Sequence, residues 1–232
     1  MSKPTIVLVH GAFAESASWN GVIQRLLDTG FPVLAVANPL RGVGSDSDYL
    51  RSALTGVSGD VVLVGHSYGG MLITNAAVGN PAVKALVYVG AFAPDAGESA
   101  AALAGRFPGS SLGDTLRPVK LPNGTSDLYI KQERYHHQFA ADSSADDAAV
   151  MAVTQRPITD AALNEESGEP AWKSLPNWFL FGSDDLNIPV EAHRFMAERA
   201  GSRKTIELAG GSHTVAIPEA ATLVELIVEA AG

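Results

Sequence analysis

Short apolar runs alternate along this chain with longer stretches whose apolar residues recur at helical spacing. The segments Thr5–Val9, Val33–Ala37, Asp60–Gly65, Lys84–Val89, Trp178–Gly182 and Lys204–Leu208 read as strands. Continuous apolar runs such as Ile6–Val9 and Val61–Val64 are expected of strands covered on both faces. Between them, Ser18–Thr29, Ser47–Val57, Ser67–Gly79, Val190–Ala200 and Pro218–Ala230 read as helices. The alternation predicts βαβ units and a mainly parallel sheet of about six strands flanked by helices.

The rhythm breaks once. From Asp95 to Pro176 run 82 residues with no clear buried strand, punctuated by Gly97, Gly105, Pro108, Gly113, Pro118, Pro122 and Gly124. Two helices are expected there, near Ser126–Ala140 and Ala145–Gln155. A structureless loop of that length is foreign to a compact domain. The expectation is a core of residues 1–94 and 177–232, with 95–176 inserted as a mostly helical cap over one edge of the sheet.

Composition narrows the function. Apolar residues make up 46% of the chain, enough for a packed core. Lys plus Arg number 16 against 25 Asp plus Glu, a net charge of −9, which argues against a nucleic-acid or anionic-lipid surface. Cysteine is absent, which excludes a thiolate nucleophile and thiolate metal sites. The longest apolar or glycine run, Ala85–Ala93, falls short of the roughly 18 residues that span a membrane. The run Ile6–Val9 is too short for a signal-peptide core, so a cytoplasmic protein is expected. Gly42-Val43-Gly44 lacks the third glycine of a dinucleotide fingerprint and reads as a loop. No histidine pair has ligand spacing on one helix face, so no metal is expected.

The chemistry concentrates in Gly65-His66-Ser67-Tyr68-Gly69, a G-x-S-x-G directly after a strand and directly before a helix. That context marks a nucleophile elbow, a sharp turn whose flanking positions have no room for side chains. A serine hydroxyl needs a base and an orienting acid. Of the six histidines, His213 is the best base, because its loop follows the strand Lys204–Leu208 at the functional end of a parallel sheet. His66 is expected to point away from Ser67, while His136, His137 and His193 read as surface or packing residues. The acid stays open among Asp185, its neighbour Asp184, and Asp95. Oxyanion donors are expected from the N–H groups of Tyr68, after the nucleophile, and Ala12, in the loop after the first strand. Asp142, Asp146 and Asp147 read as a solvated helix start.

With these residues in view, the whole chain resembles the α/β-hydrolases, and within them the branch of plant methylesterases, hydroxynitrile lyases and bacterial esterase relatives. The resemblance rests on Val9-His10-Gly11-Ala12 with Trp19, on Gly65–Gly70 and on Ala91-Phe92-Ala93-Pro94-Asp95. It rests also on Arg156-Pro157, on Asp185 with Ile188-Pro189, and on His213. It implies an α/β-hydrolase fold and makes Asp185 the acid, with Asp184 as fallback. Hydroxynitrile lyases of the branch carry Thr where this chain has Gly11 and Lys where it has Thr214, so the resemblance favours ester hydrolysis.

The resulting expectation is a cofactor-free serine carboxylesterase acting on small to medium apolar or aromatic esters. Its partner is then a small-molecule ester, with a homodimer as the alternative to a monomer. Phe13, Leu128, Tyr129 and Met151 are expected to contact substrate, with Tyr68 flanking the pocket and Phe107, Phe139 and Trp172 among the larger apolar residues of the cap. The alternatives on the same scaffold are perhydrolase or cofactor-free haloperoxidase-like activity, a hydroxynitrile lyase, and non-catalytic ligand binding.

Overall fold

A computed structural model describes residues 3–232. The chain runs through β1 (Thr5–Val9), a 3-10 turn at Ser16–Trp19, α1 (Asn20–Asp28), β2 (Val33–Val36), α2 (Val43–Leu54), β3 (Val61–His66), α3 (Gly69–Ala76) and β4 (Val83–Val89). There follow α4 (Ala100–Ala104), α5 (Leu112–Thr115), β5 (Leu116–Lys120), β6 (Ser126–Ile130), α6 (Gln132–Phe139), α7 (Ala145–Thr154), β7 (Ile158–Thr159) and α8 (Asp160–Asn164). The chain closes with β8 (Asn177–Gly182), α9 (Val190–Arg199), β9 (Lys204–Leu208) and α10 (Ala220–Ala231). Six strands form one sheet in the order β2-β1-β3-β4-β8-β9, and every pairing in it is parallel.

The period-2 alternation of each strand sorts its residues into two cores. Ile6 and Leu8 of β1 pack with Val62 and Val64 of β3 beneath Val22 and Leu26 of α1 and Leu223 and Ile227 of α10. Val7, Val9, Val61 and Leu63 face the other way, toward Leu50 of α2, Met71 of α3 and Met196 of α9. Both faces of the sheet are covered, which is why its inner strands carry so few polar residues.

The chain leaves β1 for β2 on one side, then returns to place β3 on the other. The connections therefore part between β1 and β3, at the carboxyl ends of the strands, and open the crevice where parallel sheets bind ligands.

None of the strands between β4 and β8 joins this sheet. They form a separate antiparallel sheet in the order β5-β6-β7, which the sequence pattern does not predict. Ser126–Ile130 is a strand, paired from Leu116↔Ile130 to Lys120↔Ser126, and the helix expected there begins only at Gln132. The cause is a hairpin: Asn123-Gly124 supplies the turn, with Gly124 at φ 86°, and β7 then pairs Leu128↔Ile158. The helix α2 also starts earlier than expected, at Val43. Glu165 explains this, because its carboxylate accepts the N–H groups of Val43 (2.8 Å) and Gly44 (2.9 Å) and caps the helix from across the chain. No helix among the described residues is long and apolar enough to cross a membrane.

Two histidines are built into the strand ends. The ring of His10 donates from Nδ1 to the Gly11 carbonyl (2.8 Å) and accepts the Asn38 N–H at Nε2 (3.1 Å), while Asn38 donates to the His10 carbonyl. His66 donates from Nε2 to the His213 carbonyl (3.0 Å). Burial disfavours the charged ring in both, lowering His10 to about 4 and His66 to about 3. The unfolded chain, with its histidines near 6.5, binds protons that the folded chain refuses. Stability is therefore retained above about pH 6.5 and declines as pH falls through the interval toward 4, by up to about 1.4 kcal/mol per histidine per pH unit. Thermal denaturation followed by circular dichroism should show the midpoint dropping steeply from pH 7 to pH 4.5, and a flat midpoint would contradict the buried neutral rings.

Candidate active site

The turn from β3 into α3 holds Ser67 at φ 54°, a left-handed conformation that side chains rarely adopt. Its N–H donates to the Val89 carbonyl (3.3 Å), and its own carbonyl accepts from Gly70 (3.0 Å) and Phe92 (3.2 Å). The glycines on either side are steric necessities. A Cβ at Gly65 would stand 2.8 Å from the backbone of Gly69, and one at Gly69 would stand 2.3 Å from the Val9 carbonyl. Such contacts let the helix start directly against the end of β1.

Ser67, His213 and Asp185 form one chain of hydrogen bonds. The Ser67 hydroxyl lies 2.8 Å from His213 Nε2, and His213 Nδ1 donates to Asp185 Oδ2 (2.7 Å). The Ser67 side chain arrives from the β3 end, Asp185 from the loop after β8 and His213 from the loop after β9. Burial opposes the charged form of Asp185, but the His213 imidazole and hydrogen bonds from His193 and His213 outweigh it and hold the carboxyl well below the usual carboxylate range. Its other oxygen, Oδ1, accepts the N–H groups of Asn187 (2.7 Å) and Ile188 (3.0 Å).

The other two carboxylates lie elsewhere. Asp184 is exposed and accepts the Ser183 hydroxyl (2.7 Å). Asp95 pairs with Lys173 (2.7 Å) near the surface. Neighbouring residues on this turn point opposite ways, so one enters the interior and the other meets solvent.

Opposite Ser67 runs the loop after β1. At Gly11 a Cβ would meet the Ser67 Cβ at 2.5 Å and the His66 carbonyl at 2.8 Å. The N–H of Phe13 donates to the Arg156 carbonyl (2.9 Å), whereas the N–H groups of Ala12 and Tyr68 donate to no acceptor among the described residues. The Tyr68 hydroxyl turns away from the serine toward Asp46 Oδ2 (3.3 Å).

Two loops of the site are gripped by the segment between β4 and β8. Phe13, at φ 58°, has its carbonyl bound by the Tyr135 hydroxyl of α6 (2.6 Å) as well as its N–H bound by Arg156. Asp142, between α6 and α7, accepts the Ser212 N–H (2.7 Å) and the Ser212 hydroxyl, next to His213. Asp142 is thus a loop anchor and not part of a solvated helix start. Asp147 does stand at such a start, where its N–H donates to the capping Ser144 hydroxyl.

A cavity of about 290 Å³ opens on Ser67 and His213, walled by Phe13, Phe92, Leu112, Leu116, Phe139, Leu163 and Ile188. It contains no charged side chain. Of the residues expected to contact substrate, Phe13 lines it and the other three do not. Leu128 packs into the β5-β6-β7 sheet, and Tyr129, its neighbour on a strand instead of a helix, points to the opposite side beneath Arg117. Met151 lines a separate groove of about 410 Å³ on the far side of Phe13, which does not reach Ser67. Leu112, Leu116 and Leu163 lie in short elements among glycines and turns, where no periodicity singles them out.

His193 also departs from expectation. It is fully buried, donates from Nε2 to Asp185 Oδ2 (3.0 Å), and stacks on Phe181 with ring centroids 4.8 Å apart. One signal of this was present: Ala192, His193, Met196 and Ala197 form a buried stripe at helical spacing, and a polar residue in such a stripe needs a partner. Among the described residues no three His, Asp or Glu side chains converge as a metal site.

The model of the Alpha/beta hydrolase family matches residues 6–226. The chain is similar to methylesterase 8 of Arabidopsis thaliana, at 26% identity with 92% of this chain and 84% of that protein covered. It is equally similar to an alpha-hydroxynitrile lyase of the same plant, at 27% identity with 92% and 91% covered. Among solved structures, a polyneuridine aldehyde esterase variant superposes with a TM-score of 0.84 over 100% of both chains at 19% identity, a likeness of fold. The matched residues extend from the first strand into the last helix and take in the elbow and the loops around it, so the chain belongs to the alpha/beta hydrolase family.

Proposed function

We propose that this chain is a serine carboxylesterase, and the observation that carries the reading is the continuous hydrogen-bonded line from Ser67 through His213 to Asp185 beside two free backbone donors. The Ser67 Oγ attacks the ester carbonyl carbon as its proton passes to His213 Nε2. Negative charge then builds on the carbonyl oxygen, and the N–H groups of Ala12 and Tyr68 stabilise it. Collapse breaks the bond to the alcohol oxygen, which takes the proton from His213. Water, deprotonated by the same nitrogen, cleaves the acyl-serine and restores the hydroxyl. Asp185 keeps the Nδ1–H tautomer and supports the imidazolium at each transfer.

The cavity supports a substrate class. At about 290 Å³ it sits at the small end of ligand pockets, and its apolar walls offer no cation for a substrate carboxylate. Small neutral esters with an apolar acyl or alcohol group fit this, and a methylesterase relative accords with it. We take residues 95–176 as a cap that carries selectivity, since it supplies Leu112, Leu116, Phe139 and Leu163 to the walls. The lyase relative leaves cyanohydrin cleavage as the competing chemistry. Gly11 and Thr214 speak against it, since the lyases of the branch carry Thr and Lys there, and a Cβ at Gly11 would stand 2.5 Å from the Ser67 Cβ.

Four outcomes are expected. Replacing Ser67 by Ala should lower p-nitrophenyl butyrate hydrolysis by about 10⁴-fold or more and abolish labelling by a fluorophosphonate, with the circular dichroism spectrum unchanged. Gly11→Ala should reduce kcat by about 10²-fold, because its Cβ displaces the serine from its donors; near-wild-type turnover would remove the oxyanion assignment. In an acyl-chain series, kcat/KM should be highest for short acyl groups and collapse for palmitate, and Ala104→Leu at the cavity wall should penalise benzoate esters more than acetate.

A further inference from the structure

One oxygen of the acid serves two imidazoles. Asp185 Oδ2 lies 2.7 Å from His213 Nδ1 and 3.0 Å from His193 Nε2, and all three side chains are at most 1% exposed. The second histidine has no contact with the cavity. It rises from the first turn of α9, is held flat against Phe181 with rings inclined by 11°, and leaves Nδ1 without a hydrogen-bond partner. With Nε2 facing a carboxylate oxygen, Nε2 must carry the hydrogen, and the ring is fixed as the Nε2–H tautomer.

We propose that His193 is a positioning residue for the acid: by donating to the oxygen that His213 also uses, it sets both the orientation of the Asp185 carboxylate and how strongly that carboxylate supports the His213 imidazolium. The inference deepens the esterase reading and rests on it. A donor to a carboxylate stabilises its charge and reduces its pull on a second proton. Removing the His193 donor leaves Oδ2 to His213 alone, so the His213 proton is held more tightly and general-base function is lost at a higher pH. Orientation suffers too, since Oδ2 loses the contact that balances the two N–H groups on Oδ1.

The charged and titratable surroundings are few. His66 lies on the other side of His213, with ring centroids 4.9 Å apart. Burial keeps its ring neutral across the working range. Besides Asp185, the Glu207 carboxylate on β9 is coupled to His193 by charge, and it is engaged at the surface by Arg194, which also pairs with Glu191. None of these replaces the lost donor.

Two substitutions separate the donor from the ring. His193→Phe keeps the stacking on Phe181 and removes the N–H; His193→Gln keeps an N–H donor and removes the ring. With p-nitrophenyl acetate, the acid limb of the kcat/KM profile should move upward by about one pH unit in His193→Phe. Its kcat should fall several-fold while KM stays near the wild-type value. The limb should stay in place in His193→Gln. An unmoved limb in folded His193→Phe overturns the proposal, and so does an equal shift in both variants. Proton–nitrogen NMR of the ¹⁵N-histidine-labelled wild type gives a readout that needs neither variant folding nor catalysis. A slowly exchanging Nε2–H on His193 is expected, and an Nδ1–H tautomer overturns the proposal. A wild type inert toward every ester would instead sink the esterase reading, and an Nδ1–H tautomer would separately overturn the contact proposed for His193.

Discussion

A left-handed backbone at Ser67 costs of order 1–3 kcal/mol, and much of the molecule is arranged to hold it there. The strand before it and the helix after it are both pinned by packing. Backbone hydrogen bonds to Val89, Gly70 and Phe92 fix the residue from both sides. Glycine at 65 and 69 permits the approach of α3 to β1, and glycine at 11 permits the approach of the facing loop to the serine. Because β1 and β3 lie side by side at the point where the connections diverge, the strained residue and the loop opposite it share one crevice. The topology supplies the place, and close backbone contact supplies the accuracy.

The second demand is a carboxylate taken out of water. An isolated buried charge is expensive, so the acid must be saturated with donors. Two backbone N–H groups take one oxygen of Asp185 and two histidines take the other. The carboxyl thereby stays ionised although burial alone would protonate it. Asp46 shows the opposite balance: the N–H groups of Arg41 and Gly42 and the Tyr68 hydroxyl surround it at the start of α2, yet burial outweighs them and pushes its carboxyl upward.

Legibility in the sequence followed the range of the interactions. Five strands of the main sheet were readable because each contains a local apolar run between turn residues, and β9, Lys204–Leu208, from its place in the alternation of strands and helices. Ser67 was readable from its flanking glycines in a strand-to-helix context, and His213 from its place after the last strand. The choice among Asp95, Asp184 and Asp185 was open from the residue pattern alone and was made only through the family resemblance, because it depends on which way a turn directs adjacent side chains. The β5–β6 hairpin was missed although Asn123-Gly124 marks it, since its strands draw their order from each other and not from burial of a continuous apolar run. Part of the cavity wall was missed for a related reason: Leu112, Leu116 and Leu163 converge only in three dimensions, whereas Phe13 was expected there. Asp142 read as a solvated residue and His193 as surface or packing because their partners lie 70 and 8 positions away, and nothing local ties Glu165 to a helix start 121 to 122 positions earlier.

Tyr135, Asp142 and Arg156 hold the loops that carry Phe13 and Ser212. A segment that looks separable in the strand order is therefore part of the scaffold on which the reacting groups are mounted. In this chain the segment cannot be exchanged as one exchanges a tool in a holder, because a new segment has to bring its own grips for both loops. Chimeras between relatives face the same condition: a transplanted segment without equivalents of these contacts changes the rate before it changes the preference, and grafts are best cut so that the two loops travel with it.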